Sequence, residues 1–362
     1  MRSPNPDAEQ ALSDSDRVLL RKSVRDLLSM RWPAEKAVEK SADSQQIVAI
    51  WRALAEQGLA ALGSSGAEAG LREILLVFEE LGRAACPAPL LGAIASNIAL
   101  AKQESEAARA LLEDVHRGDA IVALALGAFD GDLAAGDARM QGGKLSGVVS
   151  FVEDAQAATH ILVFTDAPAG VAVVDRKAAG ILSKAAPGLA VPSLSDIAFE
   201  STPAIGLTVS SGILADVALL ARLACAARAL GAAERGFELA AEHAKVRKQF
   251  GQLIGQFQAI QHKLTNCLIS LDGARLALES ATAAYDNGNP NWPVFASSAL
   301  AFASPALRTV SIETHRALGA IGYAEEHEAP RHFRRVHADL VRFGGVSRTR
   351  AELADVLLGP IG

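Results

Sequence analysis

The sequence predicts an α+β protein with a helical N-terminal domain, a small β-domain in the middle and a helical bundle at the C-terminus. Half of its 362 residues are hydrophobic and only 5% are aromatic, with alanine and leucine dominant, which favours close-packed helices. Apolar residues recur at helical spacing towards both ends of the chain, whereas short Val- and Ile-rich runs separated by Gly and Asp occupy the middle. A chain of this length is expected to form two or three domains.

These patterns set the predicted domain boundaries. Residues 1–11 are rich in Pro, Asn and Asp and are predicted to be disordered. We place the helical N-terminal domain at residues 12–118, the β-domain at 119–207 and the C-terminal bundle at 208–362.

The N-terminal domain begins where Ser13 or Asp14 can cap a helix that continues to Leu28. Cys86–Pro89 interrupts the later helices because proline cannot continue a helix interior. The other helical patterns of this domain lie at Gln46–Glu56, Leu71–Leu81 and Leu91–Glu113.

The β-domain is predicted from short β-branched runs bounded by turn residues. Glycine and aspartate cluster between these runs, as at Gly127–Gly136 and Asp166–Gly170. No helix follows the glycine-rich pieces and G-x-G-x-x-G is missing from them, which argues against a dinucleotide-binding fold. The predicted strands are Ile121–Leu126, Val148–Val152, His160–Phe164 and Gly170–Val174.

The C-terminal bundle begins with Ile213–Val246, which is apolar almost all round, as expected for a helix buried between neighbours. A second helix starts near Phe257, and its apolar residues, spaced by three and four, form one seam. That seam contains Phe257, Ile260, Leu264, Cys267, Leu271, Ala274 and Leu278. After a turn at Asp286–Pro293, the remaining helices are predicted at about Val294–Leu318, Pro330–Asp339 and Arg348–Leu358.

Charge and composition exclude several functions. A formal net charge of −6 gives no general attraction to nucleic acid, and no apolar run approaches the roughly 20 residues of a membrane span. The three cysteines lack ligand-like spacing and are predicted to be buried thiols in a reducing cytoplasm. His327, His332 and His337 are five residues apart and do not share a helical face, so we predict no metal site.

A candidate ligand site lies at Arg247–Asn266. Arg247 precedes the Phe250-Gly251 break, and Gln258 and Gln261 carry their amides on one face at the start of the second helix. A cation and two amides near a helix start suit a phosphorylated ligand. The alternative is a solvated arginine at a helix corner.

The order of residues in this stretch resembles the C-terminal-domain signature of acyl-CoA dehydrogenases. R-x-Q-F-G is followed by I-x-x-F-Q-x-x-Q-H-K-L, and Glu79–Gly92 resembles the family's E-E-L-G-R-x-x-x-P motif. The resemblance covers roughly residues 13–358 and implies the same three-part architecture with a C-terminal four-helix bundle. It implies that Arg247, Phe250 and Gln258, with Gln249 beside them, hold the ADP half of an FAD shared at a subunit interface.

A second motif, in His315–Arg335, resembles the family's Q-x-x-G-G-x-G-F/Y-x-x-E segment, whose glycines close on the FAD pyrophosphate. Gly319 and Gly322 fit that role because they have no Cβ to hold phosphate oxygens away. Arg316 replaces the family's glutamine and could still pair with a phosphate, whereas Ala320 replaces its second glycine. A helix that simply ends in a glycine turn is the alternative.

The residues that the family uses for chemistry are missing. The two usual positions of the proton-abstracting carboxylate fall at Phe343 and Lys248, and neither side chain serves as that base. The segment that would face the flavin ring reads VVSFVEDA and lacks the family's W-I/V-T/S strand. We therefore predict no catalytic residue in this chain.

The hypothesis that follows is a heteromeric bacterial acyl-CoA dehydrogenase in which this cytoplasmic chain is the non-catalytic subunit. It would complete the FAD site of a catalytic paralogue, with an acyl-CoA as substrate and electron-transfer flavoprotein or a similar acceptor. The resemblance suggests an α2β2 assembly that acts on steroid side-chain thioesters.

Two other functions stay open. One is a homo-oligomeric dehydrogenase with a relocated base among Glu234, Glu238, Glu242 and His243; the other is a flavin-free scaffold. Arg331, Arg334 and Arg335 form a basic cluster that could serve phosphates, a subunit contact or an ordinary solvated face, and Glu325 and Glu326 are expected on a solvated turn.

Overall fold

The structure is a computed structural model, and part of the chain lies outside what it describes. The predicted disordered segment 1–11 and the glycine-rich segment Gly127–Gly136 fall outside the described residues. The structure describes residues 12–64, 69–126, 138–166, 169–186, 188 and 194–359.

The N-terminal domain is helical, as predicted, and starts with a capping box. The Ser13 hydroxyl accepts a hydrogen bond from the Asp16 amide at 3.2 Å, and the Asp16 carboxylate accepts one from the Ser13 amide at 3.1 Å. The single helix predicted at Leu91–Glu113 is wrong, because Ser105 caps a separate helix there. The helices are α1 (Asp14–Arg31), α2 (Ala37–Ser41), α3 (Ser44–Glu56), α4 (Leu71–Arg83), α5 (Leu90–Leu100) and α6 (Glu106–Arg117).

Two four-stranded sheets form the β-domain, in the orders β1-β4-β5-β8 and β2-β3-β7-β6. β1 runs parallel to β4, and the other strand pairs are antiparallel. The sequence pattern identified β1, β3, β4 and β5 but missed the rest; β6 and β8 are mostly exposed and show no apolar run. The strands are β1 (Val122–Ala125), β2 (Arg139–Gln141), β3 (Lys144–Val152), β4 (His160–Asp166), β5 (Ala169–Asp175), β6 (Ile181–Ala185), β7 (Ser195–Pro203) and β8 (Ile205–Thr208).

The C-terminal domain contains five helices within the described residues and a short hairpin, and it confirms the predicted bundle. Cys267, Leu271, Ala274 and Leu278 of the predicted seam are buried against the neighbouring helices. The elements are α7 (Ser211–Val246), β9 (Lys248–Gln249), β10 (Gln252–Leu253), α8 (Gln258–Asp286), α9 (Trp292–Leu318), α10 (Ala329–Leu340) and α11 (Gly345–Leu358).

Helix α7 crosses α4 backbone to backbone at two glycines. A Cβ on Gly82 would lie 1.8 Å from the carbonyl oxygen of Arg228, and a Cβ on Gly231 would lie 1.8 Å from that of Glu79. Only glycine permits this approach, which fixes α7 between the N-terminal domain and the rest of the bundle. The crossing positions Arg228 at the junction with the β-domain.

Candidate functional site

The Arg247 region forms a tight hairpin after α7. Arg247 ends the helix, and β9 pairs with β10 through Gln249 and Gln252. The two connecting residues, Phe250 and Gly251, have φ of +51° and +81°, as a two-residue type I′ turn requires. This conformation is strained for phenylalanine, and the side chain is 94% exposed, with its ring edge-on to that of Phe257 at a centroid distance of 6.2 Å. The turn therefore presents an aromatic ring to solvent.

Helix α8 begins beside this hairpin without a side-chain cap. Gln258 is its first residue and is exposed, and it makes no side-chain hydrogen bond within the part of the chain that the structure describes. The Gln261 side-chain amide is already hydrogen-bonded within the chain, because it donates to the Gly255 carbonyl at 2.9 Å. The uncapped helix start leaves amide N–H groups available to an anion.

The second motif follows the end of α9. Gly319 has φ +62° and ψ −138°, which glycine adopts readily, and a 3₁₀ turn continues to Tyr323. Gly322 is buried, and a Cβ there would lie 3.2 Å from the Leu318 Cβ and 3.3 Å from the His315 carbonyl. Packing within the chain therefore accounts for Gly322, while Gly319 faces open space.

The two motifs lie at the same end of the bundle. Leu239 and Ala240 of α7, Leu318 of α9 and Ala329 of α10 form one small apolar cluster, with Leu264 of α8 packed against it. On the surface, Lys263 and Arg316 bind the same carboxylate, that of Glu313, at 2.8 and 2.6 Å. The predicted ADP-binding residues thus share one end of the domain, which we call the nucleotide end (Arg247–Gln258 and Arg316–Tyr323).

Electrostatics at the nucleotide end favour an anion. The Arg247 side chain is exposed and has no ion pair among the described residues. The charge of Arg316 is partly neutralised by the Glu313 carboxylate. The hydrogen bond from Lys263, and then the one from Arg316, keep the pKa of Glu313 below its ordinary value. Burial, then the charge of Arg247, lowers the pKa of His243, which leaves that imidazole neutral near pH 7.

Neither position that the resemblance assigns to the catalytic base carries a carboxylate. Lys248 is exposed in the hairpin at the nucleotide end. Phe343 is 9% exposed, has φ +55° and lies under the Arg342 guanidinium at 4.6 Å. Glu234 and Glu238, considered above as relocated bases, are engaged with arginines: Glu234 with Arg275 at 2.9 Å and Glu238 with Arg83 at 2.5 Å.

A buried ion cluster lies where the β-domain meets the bundle. Glu153, just after β3, binds Arg228 of α7 at 2.9 Å and Arg335 of α10 at 3.1 Å, and also binds Arg342. Arg228 holds Asp339 with two hydrogen bonds of 2.9 and 2.7 Å. Each of these side chains is 6% exposed or less. We call this group, with the adjoining Asp154, the junction cluster (Glu153, Asp154, Arg228, Arg335, Asp339 and Arg342).

The two carboxyls next to each other in this cluster differ in charge. Burial opposes ionisation of Glu153, but Arg228, then Arg342 and Arg335, hold its pKa well below the ordinary value. Burial, and then the negative charge of Glu153, raises the pKa of Asp154 to about 8. One Asp154 oxygen, Oδ1, has no hydrogen-bond partner in the described structure. Asp154 is therefore largely protonated at neutral pH.

The sequence interpretation missed this cluster. Arg335 is not on a solvated face, since it lies inside the cluster, whereas its neighbour Arg334 pairs with the exposed Glu325 at 2.7 Å. The available signal was Arg228, a charge in the middle of a helix that is otherwise apolar almost all round. Its partners are 75 and 111 residues away in sequence and could not be assigned from local pattern.

Curated proteins match most of this chain, and a family profile matches its C-terminal domain. "Acyl-CoA dehydrogenase IpdE2" of Mycobacterium tuberculosis is 32% identical over 330 residues, covering 89% of this chain and 91% of that protein. The protein of the same name in Mycolicibacterium smegmatis is 29% identical over 340 residues, 91% of this chain and 94% of that one. The profile of the acyl-CoA dehydrogenase C-terminal domain matches residues 214–356. The chain belongs to the acyl-CoA dehydrogenase family.

Solved structures share the whole fold. The steroid ACAD Tcur3481–Tcur3483 superposes with a TM-score of 0.84 at 26% identity, over 95% of this chain and 98% of that one. The ChsE4–ChsE5 complex from Mycobacterium tuberculosis (TM-score 0.83, 22% identity, 98% and 100% covered) and an FAD complex of PigA (0.80, 22%, 96% and 98%) show the same fold. These likenesses confirm the predicted fold class. Among the described helices, none is long and apolar enough to cross a membrane.

Proposed function

We propose that this chain is the non-catalytic subunit of an FAD-dependent acyl-CoA dehydrogenase, and that it completes the FAD site of a catalytic paralogue. One contrast supports the proposal. The predicted nucleotide-binding residues Arg247, Phe250 and Gln258 are exposed at the nucleotide end, while the base positions hold Phe343 and Lys248. A surface of this kind is suited to a ligand seated in another subunit.

The nucleotide end fits the ADP half of FAD. Arg247 and Arg316 would face phosphates, Gln258 and the uncapped start of α8 would donate hydrogen bonds, and Phe250 with Gln249 would border the adenosine. Gly319 would let the backbone approach the pyrophosphate, since a Cβ there meets nothing within 4 Å, and Gly322 would hold the turn. The bound cofactor would supply a hydride acceptor for the β-carbon of an acyl-CoA. This chain contributes binding and orientation and no proton acceptor.

Several features of the relatives support a partner and a substrate class. The structure named as a Tcur3481-Tcur3483 steroid ACAD variant, at 26% identity, carries two joined protein names and the words steroid ACAD. We propose an α2β2 heterotetramer with a catalytic paralogue, a steroid side-chain acyl-CoA as substrate, and electron-transfer flavoprotein or a similar acceptor. The relatives IpdE2 are bacterial, which supports placing the assembly in a bacterial cytoplasm.

Co-expression tests the proposal. The chain is purified alone and together with a paralogue that carries a carboxylate at the base position, and FAD is measured from absorbance after denaturation. We expect FAD in the assembly and little in the lone chain. Arg247→Ala should lower the FAD content of the assembly several-fold, because one phosphate-facing cation is lost. Arg109→Ala, which removes an exposed arginine on α6, is the matched control and should leave FAD unchanged.

Other outcomes would select the alternatives. Stoichiometric FAD and dehydrogenase activity in the lone chain would replace the proposal with a homo-oligomeric enzyme that has a relocated base. An assembly that forms without any FAD would indicate a scaffold. Equal FAD loss with Arg247→Ala and Arg109→Ala would show that the nucleotide end has no specific role.

A further inference from the structure

The junction cluster joins two segments that the resemblance places beside the flavin ring and the catalytic base. The segment VVSFVEDA, which the resemblance places against the flavin ring, supplies Glu153. The segment with the usual base position, Phe343, supplies Arg342 immediately before it. These two side chains form a direct, buried ion pair.

Further contacts close the same region from two sides. Arg228 connects Glu153 to Asp339, so α7 and α10 are both tied to the end of β3. Arg335 adds a second link from α10 to Glu153 at 3.1 Å. Phe343, at the usual base position, packs beneath the Arg342 guanidinium at 4.6 Å and has no carboxylate. All these groups are buried in the described structure.

A cluster of this kind resists opening. Charges that are buried together satisfy one another, and separating one of them leaves the others uncompensated in a low-dielectric interior. Glu153 is the shared partner of three guanidiniums, so moving β3 away from the bundle would leave all three without it. A planar aromatic ring or a neutral thioester offers no carboxylate to replace Glu153. The residues present therefore do not fit a flavin ring.

We propose that the junction cluster closes this chain's own cleft, so that neither a flavin ring nor an acyl thioester enters between its β-domain and its bundle. The inference deepens the proposed function and rests on it for the meaning of the cleft. On this proposal, the chain is non-catalytic for two reasons: the junction cluster fills its cleft, and the base is missing.

The chain carries a reporter of this closure. The Cys225 sulfur lies 3.9 Å from the Arg342 guanidinium, and Cys225 is 2% exposed. Cys267 lies on α8 near Lys263 and Glu313, which are not part of the junction cluster. Both thiols are free and buried. Alkylation of the whole chain with iodoacetamide, followed by peptide mass spectrometry, gives a rate for each cysteine without further mutation.

Arg342→Met is the decisive variant, because it removes the junction arginine beside Cys225 and leaves Glu153 bound to Arg228 and Arg335. Burial raises the pKa of the Cys225 thiol and the Arg342 charge opposes that rise, so loss of the charge alone would slow alkylation, and a faster rate reports opening. Local opening of the junction should raise the rate at Cys225 by roughly tenfold or more and leave Cys267 unchanged. Glu153→Gln, which keeps the shape and removes the charge that three arginines share, is the second variant, and a faster rate at Cys225 is expected there too. Arg17→Ala, which breaks the ion pair with Glu73 in the N-terminal domain, is the control and should not affect Cys225 selectively.

Three results would overturn the inference. The first is an unchanged alkylation rate at Cys225 in a folded cluster variant. The second is an equal increase in the alkylation rates of Cys225 and Cys267. The third is a slower alkylation of Cys225 when FAD is added to the wild-type lone chain. The last would place the ring in the cleft. The experiment needs no partner, so its failure is distinct from a failure of the FAD measurements on the assembly.

Discussion

The nucleotide end and the junction cluster are built from the same kinds of residue and have opposite properties. At the nucleotide end, Arg247 and Phe250 are exposed, and the backbone at Phe250 is strained. At the junction, Arg228 and Arg342 are buried and bind carboxylates of the same chain. An arginine whose partners lie within the chain stabilises the fold, whereas one without such a partner is available to a ligand. The difference separates the residues that we propose bind a nucleotide from the cluster that we propose closes the cleft.

The largest expected effect comes from exchanging an arginine in each region for methionine. Arg228→Met leaves Glu153 and Asp339 without their central partner and should lower the free energy of unfolding by about 3–5 kcal/mol. Arg247→Met should change it by less than about 0.5 kcal/mol, because the side chain is exposed. Urea denaturation of the two variants measures both values. A cost at Arg228 below about 1 kcal/mol would contradict the contrast.

Local sequence indicates a candidate nucleotide end but not the junction, for a physical reason. The residues of the nucleotide end lie in two short stretches whose order resembles family motifs, and their binding role stays a prediction. The junction cluster joins residues 153, 228, 335, 339 and 342, which meet only in the folded chain. Long helices such as α7 and α8 were predicted close to their observed bounds, whereas β7 pairs with β3 across a long separation and escaped local pattern analysis.

Asp154 gives the junction a strong pH dependence. The unfolded chain releases this proton near the ordinary pKa of 3.8, but the folded chain holds it to about 8. Rising pH therefore favours the unfolded state throughout this window, by at most roughly 1.4 kcal/mol for each pH unit, and the penalty is constant above it. Asp154→Asn replaces the titrating carboxyl group with a neutral amide. The variant should be more stable than the wild type, by a margin that grows up to about pH 8.

Chemical denaturation of the wild type and Asp154→Asn across this range measures that margin. Groups far from the junction titrate equally in both proteins, so the difference between the two curves reports Asp154 together with Glu153, which is coupled to it. Parallel curves would show that Asp154 is ionised in the folded chain at neutral pH.

Phe250 should show the reverse relation between stability and binding. Phe250→Asn places Asn-Gly in the type I′ turn and should raise the free energy of unfolding by about 1 kcal/mol, because asparagine tolerates positive φ. The same change should lower FAD retention in the assembly, since it removes the exposed ring beside the start of α8. Thermal denaturation and equilibrium dialysis measure the two effects. Phe250→Tyr keeps an aromatic ring in the same turn and should change neither stability nor FAD retention. A stable Phe250→Asn variant with full FAD retention would show that the strained Phe250 has no role in binding.

The smallest effect is expected at Arg334, which is next to Arg335 in sequence and opposite to it in environment. Arg334 pairs with Glu325, whose side chain is 64% exposed, so Arg334→Ala should change stability by no more than about 0.5 kcal/mol. Arg335→Ala withdraws a cation from Glu153 and Asp339 inside the junction and should cost several times more. Parallel urea titrations of the two variants test this, because both lose the same side chain from α10. Equal losses would mean that burial does not decide the role of an arginine here, and the division between the two regions would then have no energetic basis.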